Sequence, residues 1–281
     1  MTTIGLLHPG EMGASVGAAA RANGSHVLWV SEGRGADTRR RAGGAGLEDA
    51  GTLQALVSAS EVVLSVCPPH AARDVARQVV GHGFRGVYLD GNAVSPETAR
   101  AIDAIVRNAG ATYVDGGIIG PPPDKPGTTR LYLSGPHAER IRSLFAAGPL
   151  EAIVLPDDLA AASAIKMAYA AWTKGSQALI MAVRALATAE GVDEALLAEW
   201  QRSQPELPKR SENAARGTAH KAWRWVGEMD EIAATFAGAG LPDGFHRGAG
   251  EVYRRMAIYK DAGAAPSIED VAKTLLQVSG S

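Results

Sequence analysis

Up to about Leu155 the chain alternates short, continuous apolar runs with segments of helical pattern. The runs are Thr3–Leu7, His26–Val30, Glu61–Val66, Gly86–Leu89, Thr112–Val114, Arg130–Leu133 and Ala152–Leu155. Between them lie helix-length segments at Met12–Asn23, Gly51–Ser60, Pro69–Val80, Pro96–Asn108 and His137–Ala147. Strands that are apolar throughout, rather than at every second position, are buried on both faces. Alternated with helices, they predict a mainly parallel sheet covered on both sides. From Pro156 onward no strand pattern occurs. Pro156-Asp157-Asp158 reads as a helix start with Asp157 as its N-cap, and the pattern then runs to about Glu190. Further helices are expected at Asp193–Ser203, Arg210–Ala237 (broken), Gly244–Tyr259 and Ser267–Gln277. The fold class is α/β, with an N-terminal Rossmann domain over 1–155, a long interdomain helix, and an all-α domain over 156–281 for substrate and dimerisation.

Composition narrows the partners. The chain has 281 residues, 46% of them hydrophobic and 21% charged, with formal net charge −2. That balance argues against binding nucleic acid or a membrane surface through charge. The one cysteine, Cys67, excludes an internal disulfide, and no residue spacing suits a metal. MTTIGLLHPG lacks the basic and apolar regions of a secretion signal. Lys166, Lys174 and Arg184 interrupt the most apolar stretch, so a membrane span is not expected and the compartment expected is the cytoplasm. The long alanine-rich helix exposes more apolar surface than one chain can cover, and a homodimer through the helical domain is expected.

The chemistry starts at the first turn. Ile4 to Leu7 run into His8-Pro9-Gly10-Glu11-Met12-Gly13 and then an alanine-rich helix. Set against G-x-G-x-x-G, His8 takes the first glycine position, with Gly10 and Gly13 in the second and third. A strand, a glycine turn and a helix N-terminus in that order bring backbone N–H groups and a positive dipole to a pyrophosphate. After the second strand, Ser31 and Arg34 could hold a 2′-phosphate, while Glu32 could serve a ribose hydroxyl one position late. Alternatively Arg34, Arg39 and Arg40 are solvated charges. NADP is preferred over NAD.

On the long helix, Lys166, Thr173 and Gln177 project along nearly one line at 100° per residue, flanked by Ser163 and Tyr169. The stripe either faces solvent or lines a cleft. In the second case Lys166 can act as the general acid or base for hydride chemistry at a carbonyl. Asn92 is either its neutral partner, orienting lysine or substrate, or a turn residue. Gly116 and Gly117 either allow close approach of substrate or mark a turn. Lys174 reads as structural or peripheral, and Trp172, Trp223, Trp225 and Tyr169 as core or interface packing. His246 is a lesser substrate contact.

These motifs resemble those of the β-hydroxyacid dehydrogenase family, which includes 6-phosphogluconate and 3-hydroxyisobutyrate dehydrogenases. Gly10-Glu11-Met12-Gly13 resembles its G-x-M-G turn, and Ser65-Val66-Cys67-Pro68-Pro69 the segment beside the cofactor. Asp90-Gly91-Asn92-Ala93-Val94-Ser95-Pro96 resembles its D-x-[ST]-x-x-x-P strand end, and Asp115-Gly116-Gly117-Ile118-Ile119-Gly120 its D-A-P-V-S-G substrate loop. Ser163-Ala164-Ile165-Lys166 lies where the family carries its catalytic lysine. The segments from Lys221 to Met229 and from Leu241 to His246 resemble a branch with a distinct C-terminal domain. The resemblance implies cofactor contacts at His8 to Gly13, Cys67 and Pro68, and substrate contacts at Gly116, Gly117, Ile119, Tyr169 and Thr173. It implies a small hydroxy or oxo acid, or an aldehyde, as substrate. Two positions depart from it. Ile119 replaces the loop serine, and Tyr169 or Ala170 replaces an asparagine one turn after the lysine, so the groups that grip a carboxylate are missing. An imine reductase, or a non-catalytic nucleotide sensor, stands as the alternative.

Overall fold

The computed structural model describes residues 1–156 and 159–277. Asp157, the expected N-cap, lies outside the described residues. The chain divides into two compact units, Met1–Met167 and Ala168–Ser281. The division therefore falls within the long helix rather than at 155/156, and Lys166 belongs to the first unit.

The first unit is built on one eight-stranded sheet. Its strands are β1 (Thr3–Leu7), β2 (His26–Trp29), β3 (Glu48–Asp49), β4 (Val62–Ser65), β5 (Val87–Asp90), β6 (Thr112–Ile119), β7 (Thr129–Ser134) and β8 (Leu150–Val154), in the order β3-β2-β1-β4-β5-β6-β7-β8. All neighbours are parallel except β6 and β7. The helices are α1 (Glu11–Ala22), α2 (Ala36–Gly44), α3 (Leu53–Ala59), α4 (Ala72–Gly81), α5 (Pro96–Asn108), α6 (Ala138–Ser143) and the first turns of α7 (Ala161–Ala189). Side chains alternate along the central strands between two buried layers. Ile4, Leu6, Leu64 and Leu89 enter one layer, and Leu7, Val63, Tyr88 and Tyr113 the other. Both layers are apolar, which is why the strands read as unbroken apolar runs.

β6 runs on to Ile119 through the segment expected as a loop, and two further elements have no counterpart in the sequence expectation. The polar segment 36–44 forms α2 although it buries only Ala42, so it has almost no apolar stripe to read. The two-residue β3 is likewise too short and too polar to show a period. Because strand order reverses between β1 and β4, the loops after these strands open a crevice at their carboxyl ends. That crevice is where open α/β sheets bind ligands.

The second unit is all-helical. It contains the rest of α7, then α8 (Asp193–Ser203), α9 (Leu207–Thr218), α10 (Ala222–Gly238), α11 (Gly244–Met256) and α12 (Ile268–Leu276). A 3-10 turn at Ala219–Lys221 makes the expected break between α9 and α10. Arg184, nearly fully buried, ties α7 to the next two helices. It donates to Asp193 through Nε at 2.6 Å and Nη2 at 2.8 Å, and to Ser211 Oγ at 2.9 Å. Ser267 and Asp270 form a capping box at the start of α12. Among the described residues, no helix is long and apolar enough to cross a membrane.

Candidate active site

The turn after β1 has the shape a nucleotide phosphate requires. His8 adopts φ 65°, the left-handed region that glycine ordinarily takes, and Gly10 N donates back to His8 O at 2.7 Å. Gly13 must lack a side chain, because a Cβ there would stand 2.5 Å from His8 O. Gly10 is different, since a Cβ on it would meet nothing within 4 Å. Gly10 is also the N-cap of α1 and caps it with no side chain. The N–H groups of Glu11, Met12 and Gly13 thus begin a helix with an open approach, the arrangement that binds anions. Arg41 Nε donates to Pro9 O at 3.4 Å on the flank of the turn.

Beside this turn, Ser31 to Arg34 form a second one, with Arg34 N donating to Ser31 O at 3.1 Å and Gly33 at φ 68°. Arg39 holds it together, its Nη2 donating to Ser31 O at 2.9 Å and its Nε to Arg34 O at 3.2 Å. Arg39 is therefore part of this turn rather than a solvated charge. Asp49 of β3 accepts from Ser31 N at 3.2 Å and from Gly51 N at 2.8 Å. Ser31 and these partners hold the Asp49 carboxyl below its usual range. Asp49 gave no signal in the sequence, because only strand pairing brings it to Ser31 (Trp29 faces Asp49 in register). Burial, helped by the Arg34 guanidinium, pushes the His8 imidazole down to about 4.

The loop after β4 closes the other wall. Asn92 Oδ1 accepts from Cys67 N at 2.6 Å, and Asn92 Nδ2 donates to Ser65 Oγ at 3.1 Å. Asn92 is 2% exposed, so its amide fastens the Cys67-Pro68 loop to the end of β5. Burial pushes the Cys67 thiol up to about 12 and keeps it protonated.

A row of buried polar side chains continues across the strand ends. Ser65 pairs in register with Asp90, Asp90 with Asp115, and Asp115 with Ser134. Partners in register point to the same face of a sheet. Asp90 accepts from Asn92 N at 3.0 Å and Tyr113 Oη at 3.3 Å. Burial raises Asp90 to about 7, with the Asp115 charge adding to it, and burial raises Asp115 to about 6. Asp115 receives the start of α7, accepting from Ser163 N at 2.7 Å, from Ser163 Oγ at 2.6 Å and from Ser134 Oγ at 3.2 Å. The sequence marked Ser163 only as a flank of the polar stripe and Asp115 only as the start of a loop.

One turn after Ser163, Lys166 Nζ donates to Ile118 O at 2.8 Å. The helix can come this close because β6 is bare at Gly117, where a Cβ would stand 2.4 Å from Ala162 O and 3.1 Å from Lys166 Cβ. At Gly116 a Cβ would stand 2.7 Å from Asp90 O. Both glycines thus admit the protein's own backbone. Ile119 is buried at the end of β6.

The remaining candidates lie in the second unit. Tyr169 is exposed, and Thr173 Oγ1 donates back to Tyr169 O at 3.1 Å. His246 is buried between Phe236 and Phe245, with ring centroids 4.3 and 5.1 Å away. Lys174 pairs with Glu228 and lies over Trp225, so its place is structural. Trp225 meets Tyr253 edge-on, whereas Trp172 and Trp223 are exposed and are not core residues of this chain. Among the described residues, no group of three His, Cys, Asp or Glu is placed to hold a metal.

Comparison with known proteins agrees with this geometry. Residues 187–256 match a family model described as a domain of unknown function, DUF1932. An uncharacterized 28.5 kDa protein of Methanothermus fervidus is 30% identical over 167 residues, 59% of this chain. The chain spans 63% of the length of that relative. Among solved structures, one is a conserved protein of unknown function, described as similar to 3-hydroxyacid dehydrogenases. It is 26% identical with TM-score 0.67, over 92% of this chain and 100% of that one. The 3-hydroxyisobutyrate dehydrogenase of Mycobacterium tuberculosis, solved with L-serine, is 18% identical with TM-score 0.70, over 98% and 99% of the two chains. A reductive aminase from Aspergillus terreus, solved with NADPH and ethyl levulinate, is 17% identical with TM-score 0.57, over 98% of each chain. Over nearly its whole length the chain shares the fold of these solved structures, and its helical end carries the segment that matches DUF1932.

Proposed function

We propose that this protein is an NAD(P)-dependent oxidoreductase acting on a small hydroxy or oxo acid, or an aldehyde. The observation that carries the reading is the β1–α1 turn, where an open Gly10 and an uncapped helix start stand at the reversal of strand order. The glycine turn would hold the pyrophosphate. Ser31, Arg34 and Arg39 would hold a 2′-phosphate, which favours NADP, while Glu32 in the same turn would serve a ribose hydroxyl. A bound nicotinamide supplies or accepts hydride. Lys166 gives a proton to the substrate oxygen during reduction and removes it during oxidation. Asp115 and Ser163 set the start of its helix, and Asn92 holds the cofactor loop.

A second reading, imine reduction, is favoured by one observation. The buried, apolar Ile119 stands where a carboxylate-gripping serine would be expected. The enzyme acts in the cytoplasm and as a homodimer, the dimer being supported by Tyr169, Trp172, Leu179 and Leu186, which stay exposed along α7. A monomer by light scattering would remove the dimer.

The test is NAD(P)H oxidation with aldehydes, oxo acids and cyclic imines. Turnover with oxo acids or aldehydes is expected, and turnover confined to imines selects the second reading. Nucleotide binding without any turnover would make the chain a sensor.

A further inference from the structure

We propose that the His8 imidazole takes up a proton and donates a hydrogen bond to a phosphate of the bound dinucleotide, so that anion and proton bind together. The inference rests on the nucleotide-binding reading above and adds to it a role for a side chain where a glycine would serve the turn.

The geometry has three parts. His8 occupies the left-handed conformation, which strains a non-glycine residue. His8 Nδ1 is enclosed and has no hydrogen-bond partner among the described residues, a further penalty for a buried polar atom. The imidazole lies within the influence of the Arg34 guanidinium, at the junction of the Ser31–Arg34 turn and the start of α1. With no anion present, burial and Arg34 both disfavour a charged imidazole. A phosphate beside Arg34 reverses the sign of the local field, and the protonated imidazole becomes its second cationic donor.

The other charged and titratable groups around the turn are Arg34, Glu32 and Arg39 of the second turn, Arg41 on the flank of the first, and Cys67 and Asp49. Burial keeps Cys67 a thiol, and the hydrogen bonds of Asp49 hold its carboxyl below the usual range. Glu11 stands in the first turn of α1. The comparison of wild type with a His8 variant cancels the nucleotide's own 2′-phosphate and isolates the imidazole.

The test is isothermal titration of NADP⁺ and of NAD⁺ into the full chain at pH 6, in two buffers of different ionisation enthalpy. It is repeated with His8→Gly, which restores the glycine and relieves the strained φ. The wild-type chain is expected to take up more protons than His8→Gly, by an amount approaching one. Its affinity is expected to gain about five- to tenfold over the variant between pH 8 and pH 6. Excess uptake with NADP⁺ alone assigns the imidazole to the 2′-phosphate, and excess uptake with both nucleotides assigns it to the pyrophosphate. Equal proton uptake by wild type and His8→Gly, with both binding, overturns the inference and leaves the nucleotide site standing. Failure of the wild-type chain to bind either nucleotide overturns the site as well.

Discussion

Ser163 donates to Asp115 twice, through its backbone N–H at 2.7 Å and its hydroxyl at 2.6 Å. These bonds pin the first turn of α7 to the middle of β6, and Lys166 follows one turn later with its amine on Ile118 O. Ser163→Ala removes one hydrogen bond from a buried carboxyl, at an expected cost of about 1–3 kcal/mol. Asp115→Ala, which strands three donors, costs more. Thermal unfolding of both variants checks the order, and an unchanged midpoint for Asp115→Ala would contradict the anchoring.

Asp90 and Asp115 make stability depend on pH in an unusual direction. Both carboxyls are raised by burial, Asp90 to about 7 and Asp115 to about 6. Between their unfolded value of 3.8 and these folded values, the native chain binds more protons than the unfolded one. Their contribution is therefore full below the unfolded value and is lost as pH rises through about 6 and 7. Asp90→Asn should flatten the fall in melting temperature between about pH 5 and about pH 7.5. A slope unchanged from wild type would mean that Asp90 is ionised throughout.

Gly10 and Gly13 separate binding from folding. A methyl group at position 13 would stand 2.5 Å from His8 O, whereas one at position 10 meets nothing within 4 Å. Gly13→Ala is expected to lower the melting temperature and remove nucleotide binding together. Gly10→Ala is expected to leave the melting temperature within about 1 °C and weaken nucleotide binding about tenfold or more, because the added carbon fills the phosphate's approach. Calorimetry and fluorescence titration of the two variants read the contrast, and equal loss of stability in both would refute it.

Lys166 is the residue on which the proposed proton transfer depends. Lys166→Met is expected to lower kcat by about 10²- to 10⁴-fold while leaving the dissociation constant of NADPH within about twofold. Steady-state kinetics and binding titrations measure the two separately. Activity retained in Lys166→Met would take the amine out of the reaction.

Much of this could be read along the chain. The apolar runs placed β1, β2 and β4 to within two residues, because a strand buried on both faces signals itself over a short window. The glycine turn was legible for the same reason, since strand, turn and helix are adjacent in sequence. The 3.6-residue period likewise outlined α5, α8 and the long α7. Elements without an apolar stripe, α2 and β3, left no such trace.

Local periodicity determined the β–α alternation, the glycine turn, the long helix and the strandless C-terminal half, because each depends on neighbours within a few residues. Tertiary structure alone decided that β7 runs against β6, that Asp90 lies beside Asp115, and that Asp49 reaches Ser31. It also decided that Gly117 admits the backbone of α7 and that Asn92 fastens the Cys67 loop. Those contacts depend on strand order and register between distant segments, such as the 48 positions separating Asp115 from Ser163, and a single-residue slip would turn each side chain to the opposite face.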